Sequence, residues 1–174
     1  LPEGYVVELV AAEPHLANPV CFFPANDGRF YVAETFRLHK GVTDMRQHVE
    51  KLEEDMACDT VQDRVAMFKR WAGDDFEELY ETEHERVKLL SDTDGDGVVD
   101  SSTIFADGFK DASVGIAAGV LEHEGDVYYT CIPHLWRLRD TDGDGVADER
   151  EALSSGYGVR VTLLGHDLHG LQVG

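Results

Sequence analysis

The amino-acid sequence predicts an all-β fold: the first two to three blades of a β-propeller, with an α-helical insertion in blade one. Two nearly identical Asp-Gly runs begin at Asp92 and Asp140, a repeat of about 48 residues. Gly-centred turns followed by aromatic strand patterns, at residues 26–33 and 124–130, precede these runs. Each run also lies between two short strand patterns. Four short strands in a period of roughly 40–50 residues are typical of a propeller blade.

The repeat divides the chain into blades. Within residues 1–17, the apolar stretch at residues 5–11 is predicted to close the ring as a strand of the last blade. Blade one is assigned to residues 18–109, blade two to 113–158, and the start of blade three to 166–174. A propeller needs at least four blades, so we expect the chain to be the N-terminal part of a longer domain. The alternative is a self-contained domain of two β-sheets.

Blade one contains an insertion at about residues 37–84, whose apolar residues recur at helical spacing. Thr60 and Asp63 have the spacing of a capping box at the start of one of the helices. The insertion is predicted to be a helical excursion over the propeller, a lid or a docking surface, with its apolar stripes used in packing. The two predicted apolar faces are Met45, Val49, Leu52 and Met56, and Val61, Val65, Phe68 and Ala72; Phe76, Leu79 and Tyr80 are predicted to form a third short turn.

The Asp-Gly runs predict two calcium sites. Each run has carboxylates at positions 1, 3, 5 and 9, a Gly at position 6, and a carbonyl ligand at position 7. Ca²⁺ takes six to eight oxygen ligands, and four carboxylates so close together would repel one another without a cation. The alternative is a solvated acidic turn. The predicted ligands are Asp92, Asp94, Asp96, Val98 and Asp100 in the first site and Asp140, Asp142, Asp144, Val146 and Asp148 in the second.

The flanking segments favour strand–loop–strand sites over EF-hands. An EF-hand needs a helix on each side and a Glu at position 12, which is Thr103 in the first run and Glu151 in the second. Glu151 is retained as an additional candidate ligand of the second site. Apolar and polar residues partly alternate in segments 86–90 and 135–139, as in short strands. We therefore expect hairpins whose loops bind Ca²⁺.

Composition excludes several classes of function. Asp and Glu total 35 against 15 Lys and Arg, giving a net charge of −20, which disfavours binding to nucleic acid or an anionic membrane. No apolar run approaches about 18 residues, so no direct membrane insertion is expected. Cys21, Cys58 and Cys131 have no metal-binding spacing and are interpreted as small buried apolar residues, with one disulfide as the alternative.

The motifs together resemble one bacterial family: the N-terminal propeller of the PVC-type haem-binding proteins, also called membrane-bound dehydrogenases. The shared features are LPEGYVVELVAAEPHLANPV at the start, an insertion with HKGV and a following D.R.H pattern, the twin DTDGDG runs, and GHDLHGLQVG at the end. The resemblance covers essentially the whole chain. It implies a six-bladed, quinoprotein-dehydrogenase-like propeller, exported or periplasmic, with haem c only in a C-terminal domain absent from this chain.

The chain is more distantly similar to soluble glucose and sorbosone dehydrogenases, which use pyrroloquinoline quinone. That resemblance implies His166 as a catalytic base, with Asp167 and His169 as neighbouring site residues. A neutral imidazole can take a hydroxyl proton while hydride passes to the quinone. The sequence departs from the family pattern because Leu168 and His169 replace a Gly-Gly pair. The alternative is a pair of hydrogen-bonded structural histidines. His134 and the His39, Lys40, Arg46 and His48 region are lesser site candidates.

Two functions remain as hypotheses. The first is a calcium-binding propeller of a quinone-dependent dehydrogenase, which would oxidise a sugar or alcohol and pass electrons to the haem domain. Its partners would be that substrate, the remaining blades and the electron-transfer domain. The second is a non-catalytic propeller that binds carbohydrate or protein within an exported multidomain protein.

Overall fold

The computed structural model describes residues 1–159 and 168–174, which form two four-stranded antiparallel sheets and a small helical insertion. Strand order follows the chain in both sheets, so every strand pairs with its sequence neighbour. The prediction of a mostly-β chain with a helical insertion is confirmed. The strands are β1 (Pro19–Pro24), β2 (Phe30–Glu34), β3 (Glu85–Ser91) and β4 (Ser101–Phe109) in the first sheet, and β5 (Ala117–His123), β6 (Asp126–Cys131), β7 (His134–Arg139) and β8 (Glu149–Ser155) in the second.

One apolar core lies between the two sheets. Val87 and Phe105 of the first sheet and Val127 and Tyr129 of the second are nearly or fully buried in it. Alternation explains the arrangement, because successive side chains of a strand point to opposite faces and the apolar set faces the neighbouring sheet. Strand β5 lies against β1 and β2, so the second sheet packs on the first through its leading strand.

Residues 5–11 form no strand among the described residues, and their apolar side chains are largely exposed. Tyr5, Val6, Val7 and Leu9 are 69–82% exposed. The prediction that this segment completes another sheet stays a prediction.

The insertion contains α1 (Leu52–Met56), α2 (Val61–Ala72), α3 (Phe76–Tyr80) and three short 3₁₀ turns. The expected second apolar face and third short turn are present as α2 and α3, with Phe68 and Tyr80 stacked at 4.5 Å between ring centroids. The first expected helix is wrong. Residues 45–56 are divided into two 3₁₀ turns and α1 because His48 leaves helical geometry, and Val49 and Met56 are more than half exposed.

Helix α2 begins at the predicted capping box. The Thr60 hydroxyl accepts from the Asp63 N–H at 3.1 Å, and the Asp63 carboxylate accepts from the Thr60 N–H at 2.9 Å. These bonds satisfy N–H groups that a helix start leaves without partners.

We expect Thr60→Ala to lower the free energy of unfolding by about 1 kcal/mol, because the hydroxyl acceptor is lost. Thr60→Ser keeps that acceptor and should change the stability by no more than a few tenths of a kcal/mol. Urea unfolding of both variants measures the difference; equal losses would assign the effect to the Thr60 methyl group.

A buried polar network joins the insertion to both sheets. The Arg37 guanidinium is fully buried and donates to the carbonyl oxygens of Glu83, Lys110, Gly41, Tyr80 and Asp111 at 2.7–3.3 Å. Next to it, the buried Glu85 carboxylate accepts from the Arg37 N–H at 3.0 Å and from the Ala117 N–H of β5 at 2.9 Å. Burial raises the pKa of Glu85 despite these bonds.

Candidate metal centre

The two acidic loops connect equivalent strands. The first, residues 92–100, joins β3 to β4, and the second, residues 140–148, joins β7 to β8. In an antiparallel sheet these loops lie at one end, whereas the insertion between β2 and β3 leaves from the other. Both flanks of each loop are strands, so the expected strand–loop–strand arrangement is confirmed and the EF-hand arrangement is absent from these two described loops.

The first loop is folded by its own aspartates. Asp92 accepts the N–H of Gly95 at 2.7 Å through one oxygen and the N–H of Gly97 at 2.8 Å through the other. Asp96 accepts from the Val98 N–H at 2.8 Å. Gly95 and Gly97 have φ of +77° and +93°, which residues with a side chain rarely adopt. The tight turn therefore depends on these two glycines.

The second loop repeats this pattern bond for bond. Asp140 accepts from Gly143 at 2.7 Å and from Gly145 at 2.8 Å, and Asp144 accepts from Val146 at 2.8 Å. The loops are closed alike, since the N–H of Asp148 donates to the Arg139 carbonyl at 2.8 Å and that of Asp100 to Ser91 at 3.1 Å. The shared sequence therefore specifies one shared backbone geometry.

Sequence reasoning missed a threonine at position 2 of each loop. Thr93 donates its N–H and hydroxyl to Asp100 at 3.0 and 2.6 Å, and Thr141 donates both to Asp148 at 2.7 Å. These bonds hold the pKa of both carboxyls below its ordinary value: the main cause is the Thr93 hydroxyl at Asp100 and the Thr141 N–H at Asp148. The signal was available, because Thr occupies position 2 in both runs.

Carboxylate oxygens converge in both loops. One oxygen from each of Asp92, Asp94 and Asp96 lies within 4.8 Å of the others, and the same holds for Asp140, Asp142 and Asp148. Each group of three oxygens could hold one metal ion, and oxygen is the donor atom that Ca²⁺ takes in proteins. Val98 and Val146, at position 7 of the two loops, are both exposed. Asp100 and Asp144 lie in their loops but outside these two convergent groups among the described residues.

Glu151 lies apart from the second loop's convergent group. It is on β8 opposite Arg137, and its carboxylate pairs with the Arg137 guanidinium at 2.5 Å. This cross-strand ion pair gives Glu151 a partner other than a metal ion.

Each loop is also bonded to the preceding part of the structure through position 8. The Ala147 N–H donates to the Phe105 carbonyl of β4 at 2.7 Å. The Val99 N–H, at the same place in the first loop, donates to the Val10 carbonyl at 2.7 Å. Val10 therefore makes the same contact with the first loop that Phe105 of β4 makes with the second loop.

Of the three predicted catalytic residues, one lies within the described part of the chain and two lie outside it. His166 and Asp167 lie outside the described residues. His169 is exposed and forms an isolated parallel bridge with Ala118 of β5. His134 begins β7 and meets Trp136 edge-on, with ring centroids 4.8 Å apart. Cys58 and Cys131 are buried and Cys21 is partly buried, as expected of small apolar residues.

The described residues include no helix long and apolar enough to cross a membrane. No curated protein and no solved structure matches the chain. The sequence model of one family, described as a domain of unknown function (DUF7133), matches residues 1–174. The match covers the whole chain, which therefore belongs to the DUF7133 family.

Proposed function

We propose that this chain is a calcium-binding part of a β-propeller, in which each four-stranded sheet is one blade and each acidic loop binds one Ca²⁺. The observation that supports this most directly is the bond-for-bond identity of the two loops. Two loops with the same acidic sequence, geometry and place between strands favour a shared ligand over two unrelated solvated turns.

The docking of the loops supports the propeller. Blades of a propeller follow one another around an axis, so each contact between neighbours recurs at every step. The bond from Ala147 to Phe105 recurs as the bond from Val99 to Val10. Residues 5–11 would then be the outermost strand of a preceding blade. Such pairing would also use the backbone and apolar side chains that are exposed there.

The chemistry of the loops favours calcium. Deprotonated carboxylates and backbone carbonyls are hard oxygen donors, which Ca²⁺ takes in sets of six to eight. Asp92, Asp94, Asp96, the Val98 carbonyl and Asp100 would bind the first ion, and the equivalent residues the second. The bound ion would remove the repulsion between the carboxylates and fix the hairpin that carries each outer strand.

Calcium titration of the chelator-treated protein tests the proposal. We expect two Ca²⁺ ions to bind per chain by calorimetry, with a melting temperature that rises with calcium and falls again in excess chelator. Mg²⁺ at the same concentration should stabilise less, since it demands compact octahedral geometry. The absence of saturable binding at millimolar calcium would refute the metal assignment.

The resemblance extends the proposal to a quinone-dependent sugar or alcohol dehydrogenase, exported and coupled to a haem domain. Its base, His166, lies outside the described residues, as does Asp167. His169 lies within them and is exposed. No step through a quinone is therefore derived from this geometry. The alternative, a propeller that only binds carbohydrate or protein, uses the same calcium-stabilised scaffold.

Dye-linked activity of the intact protein separates these two functions. With Ca²⁺ and pyrroloquinoline quinone added, we expect oxidation of a sugar or alcohol that falls at least about a hundredfold in His166→Ala, as for loss of a general base. His123→Ala is the matched control. No turnover by a folded, calcium-loaded protein across a panel of sugars and alcohols would favour the binding propeller.

A further inference from the structure

A second concave site lies inside the helical insertion, at the opposite end of the sheets from the acidic loops. It is a cavity of about 290 Å³, here called the insertion cavity. The side chains that matter for its chemistry are His39, Asp44, Gln47, His48, Lys51 and Trp71. Its volume is near the lower end of the range for small-molecule sites in proteins.

Two carboxylates near the insertion cavity, those of Asp44 and Glu54, already have cations or N–H groups as hydrogen-bond partners. Asp44, whose side chain is 4% exposed, accepts from the Arg46 guanidinium through both oxygens at 2.9–3.2 Å. Glu54 pairs with Arg70 and also accepts from the indole N–H of Trp71 at 2.7 Å. Their negative charge is therefore largely compensated inside the protein.

The donor groups around the insertion cavity are not matched in this way. The Lys51 ammonium lies 4.6 Å from the Trp71 ring centroid; Glu54 attracts it electrostatically, but no carboxylate of the described residues lies within ion-pair distance of it. The side chains of His39 and Gln47 make no hydrogen bond within the described part of the chain. His48 approaches Glu50 at 3.6 Å, and that glutamate is 68% exposed. Donor groups of Lys51, His39 and Gln47 are therefore available at one cavity.

Local charge points the same way. Residues 37–51 contain two more cationic than anionic side chains, with His39 and His48 not counted, in a chain of net charge −20. Among these cations Lys40 pairs with Glu83 and Arg46 with Asp44, whereas Lys51 has no ion pair among the described residues. A lysine beside a cavity that has no ion-pair partner can bind an anion there.

The walls of the insertion cavity limit the body of such an anion. The half-buried Trp71 indole forms one side, and it is fixed by its bond to Glu54. His39 is held at φ +63°, in the left-handed region that costs a residue with a side chain about 1 kcal/mol or more. Gly41 packs so closely on Arg37 that an added Cβ would lie 2.8 Å from the guanidinium carbon. These features describe a pre-formed pocket with a flat apolar wall.

We propose that the insertion cavity binds a small organic carboxylate of about monosaccharide size. The Lys51 ammonium and the imidazoles of His39 and His48 would contact the carboxylate. Gln47 would bond to a polar group of the ligand, and the Trp71 indole would pack against its body. This proposal does not depend on the calcium sites.

The test uses glucuronate as the probe and glucose as its uncharged match, in the intact protein at constant ionic strength. The chain has two tryptophans, so the indole N–H signals of Trp71 and Trp136 report on binding by NMR. Trp136 is on β7 in the second sheet and serves as an internal control. We expect glucuronate to shift the Trp71 signal saturably and leave Trp136 unchanged, with glucose having no effect at the same concentration.

Two matched variants complete the test. Lys51→Gln removes the cation of the cavity and should weaken glucuronate binding about tenfold or more, as for loss of one charge-assisted hydrogen bond. Lys69→Gln removes a cation placed alike, 5.2 Å from the Phe76 ring, and should leave binding unchanged. A Trp71 signal that does not respond to glucuronate, that responds equally to glucose, or that keeps its affinity in Lys51→Gln would overturn the proposal.

Discussion

Arg37→Ala is expected to lower the free energy of unfolding by about 3–5 kcal/mol, the largest single-residue effect that the structure predicts. The variant would remove a fully buried guanidinium that donates to five carbonyl oxygens. Those carbonyls belong to the insertion and to the connection between β4 and β5, which would lose their common partner. The Glu85 carboxylate would also stay buried without its neighbouring positive charge.

The pH dependence distinguishes this mechanism from simple loss of packing. Burial already raises the pKa of Glu85, so the folded protein holds a proton there more tightly than the unfolded chain does. Stability linked to Glu85 is therefore fully present below the unfolded pKa and is lost as the pH rises from there through the folded pKa. Without Arg37 that pKa should rise further, and the deficit of the variant should shrink on acidification from pH 7 to 5.

Urea unfolding at both pH values, in the presence of chelator, measures this effect. Arg29→Ala is the control, because Arg29 forms an exposed ion pair with Asp27 at 2.7 Å that should contribute at most about 1 kcal/mol. A loss for Arg37→Ala no larger than that of the control, or a loss that does not change with pH, would contradict the assigned role of the network.

Local patterns account for what the sequence predicted well. Strands β3 and β7 and the acidic loops after them depend on alternation and on glycines within a few residues, which are visible in the sequence. The capping box of α2 is equally local, as it spans Thr60 to Asp63. The Arg37 network was missed because its partners lie up to 74 residues away and include backbone carbonyls, which the sequence does not single out. The buried Glu85 was missed for the same reason.

The error in the insertion has a related cause. Met45, Val49, Leu52 and Met56 have helical spacing, but Val49 is 65% exposed and Met56 is 56% exposed. The chain turns at His48 instead, and the Asp44 side chain caps the first 3₁₀ turn through the Arg46 N–H. Spacing alone could not show that this segment lines the insertion cavity rather than the core. That departure from a regular helix brings His39, His48 and Lys51 to one cavity.

The two ends of the sheets therefore differ in chemistry. One end presents the two acidic loops, which are built alike and have the donor groups of a cation site. The other holds the Arg37 network and the insertion, with the donor groups of the insertion cavity. The proposed cation sites and the proposed carboxylate site would therefore lie at opposite ends of the sheets.

Removal of one aspartate from each loop gives the second large effect. For Asp94→Ala combined with Asp142→Ala, we expect the melting temperature in millimolar Ca²⁺ to fall by about 10 °C or more. The reason is that each site at a hundredfold excess over its Kd contributes about 2.7 kcal/mol. The variant should also lose its response to chelator. Differential scanning fluorimetry with and without excess chelator measures both effects.

The chelator-treated state provides the sharper comparison. Without calcium the four carboxylates of each loop repel one another, so removing one of them should leave the protein as stable as the wild type or more stable. The variant is thus expected to be less stable than the wild type in calcium but not in chelator. Asp74→Ala with Asp75→Ala removes the same charge from exposed positions outside the loops and should keep the full calcium response. An equal deficit of the loop variant in both conditions would mean that the aspartates stabilise the turns through their backbone hydrogen bonds and bind no ion.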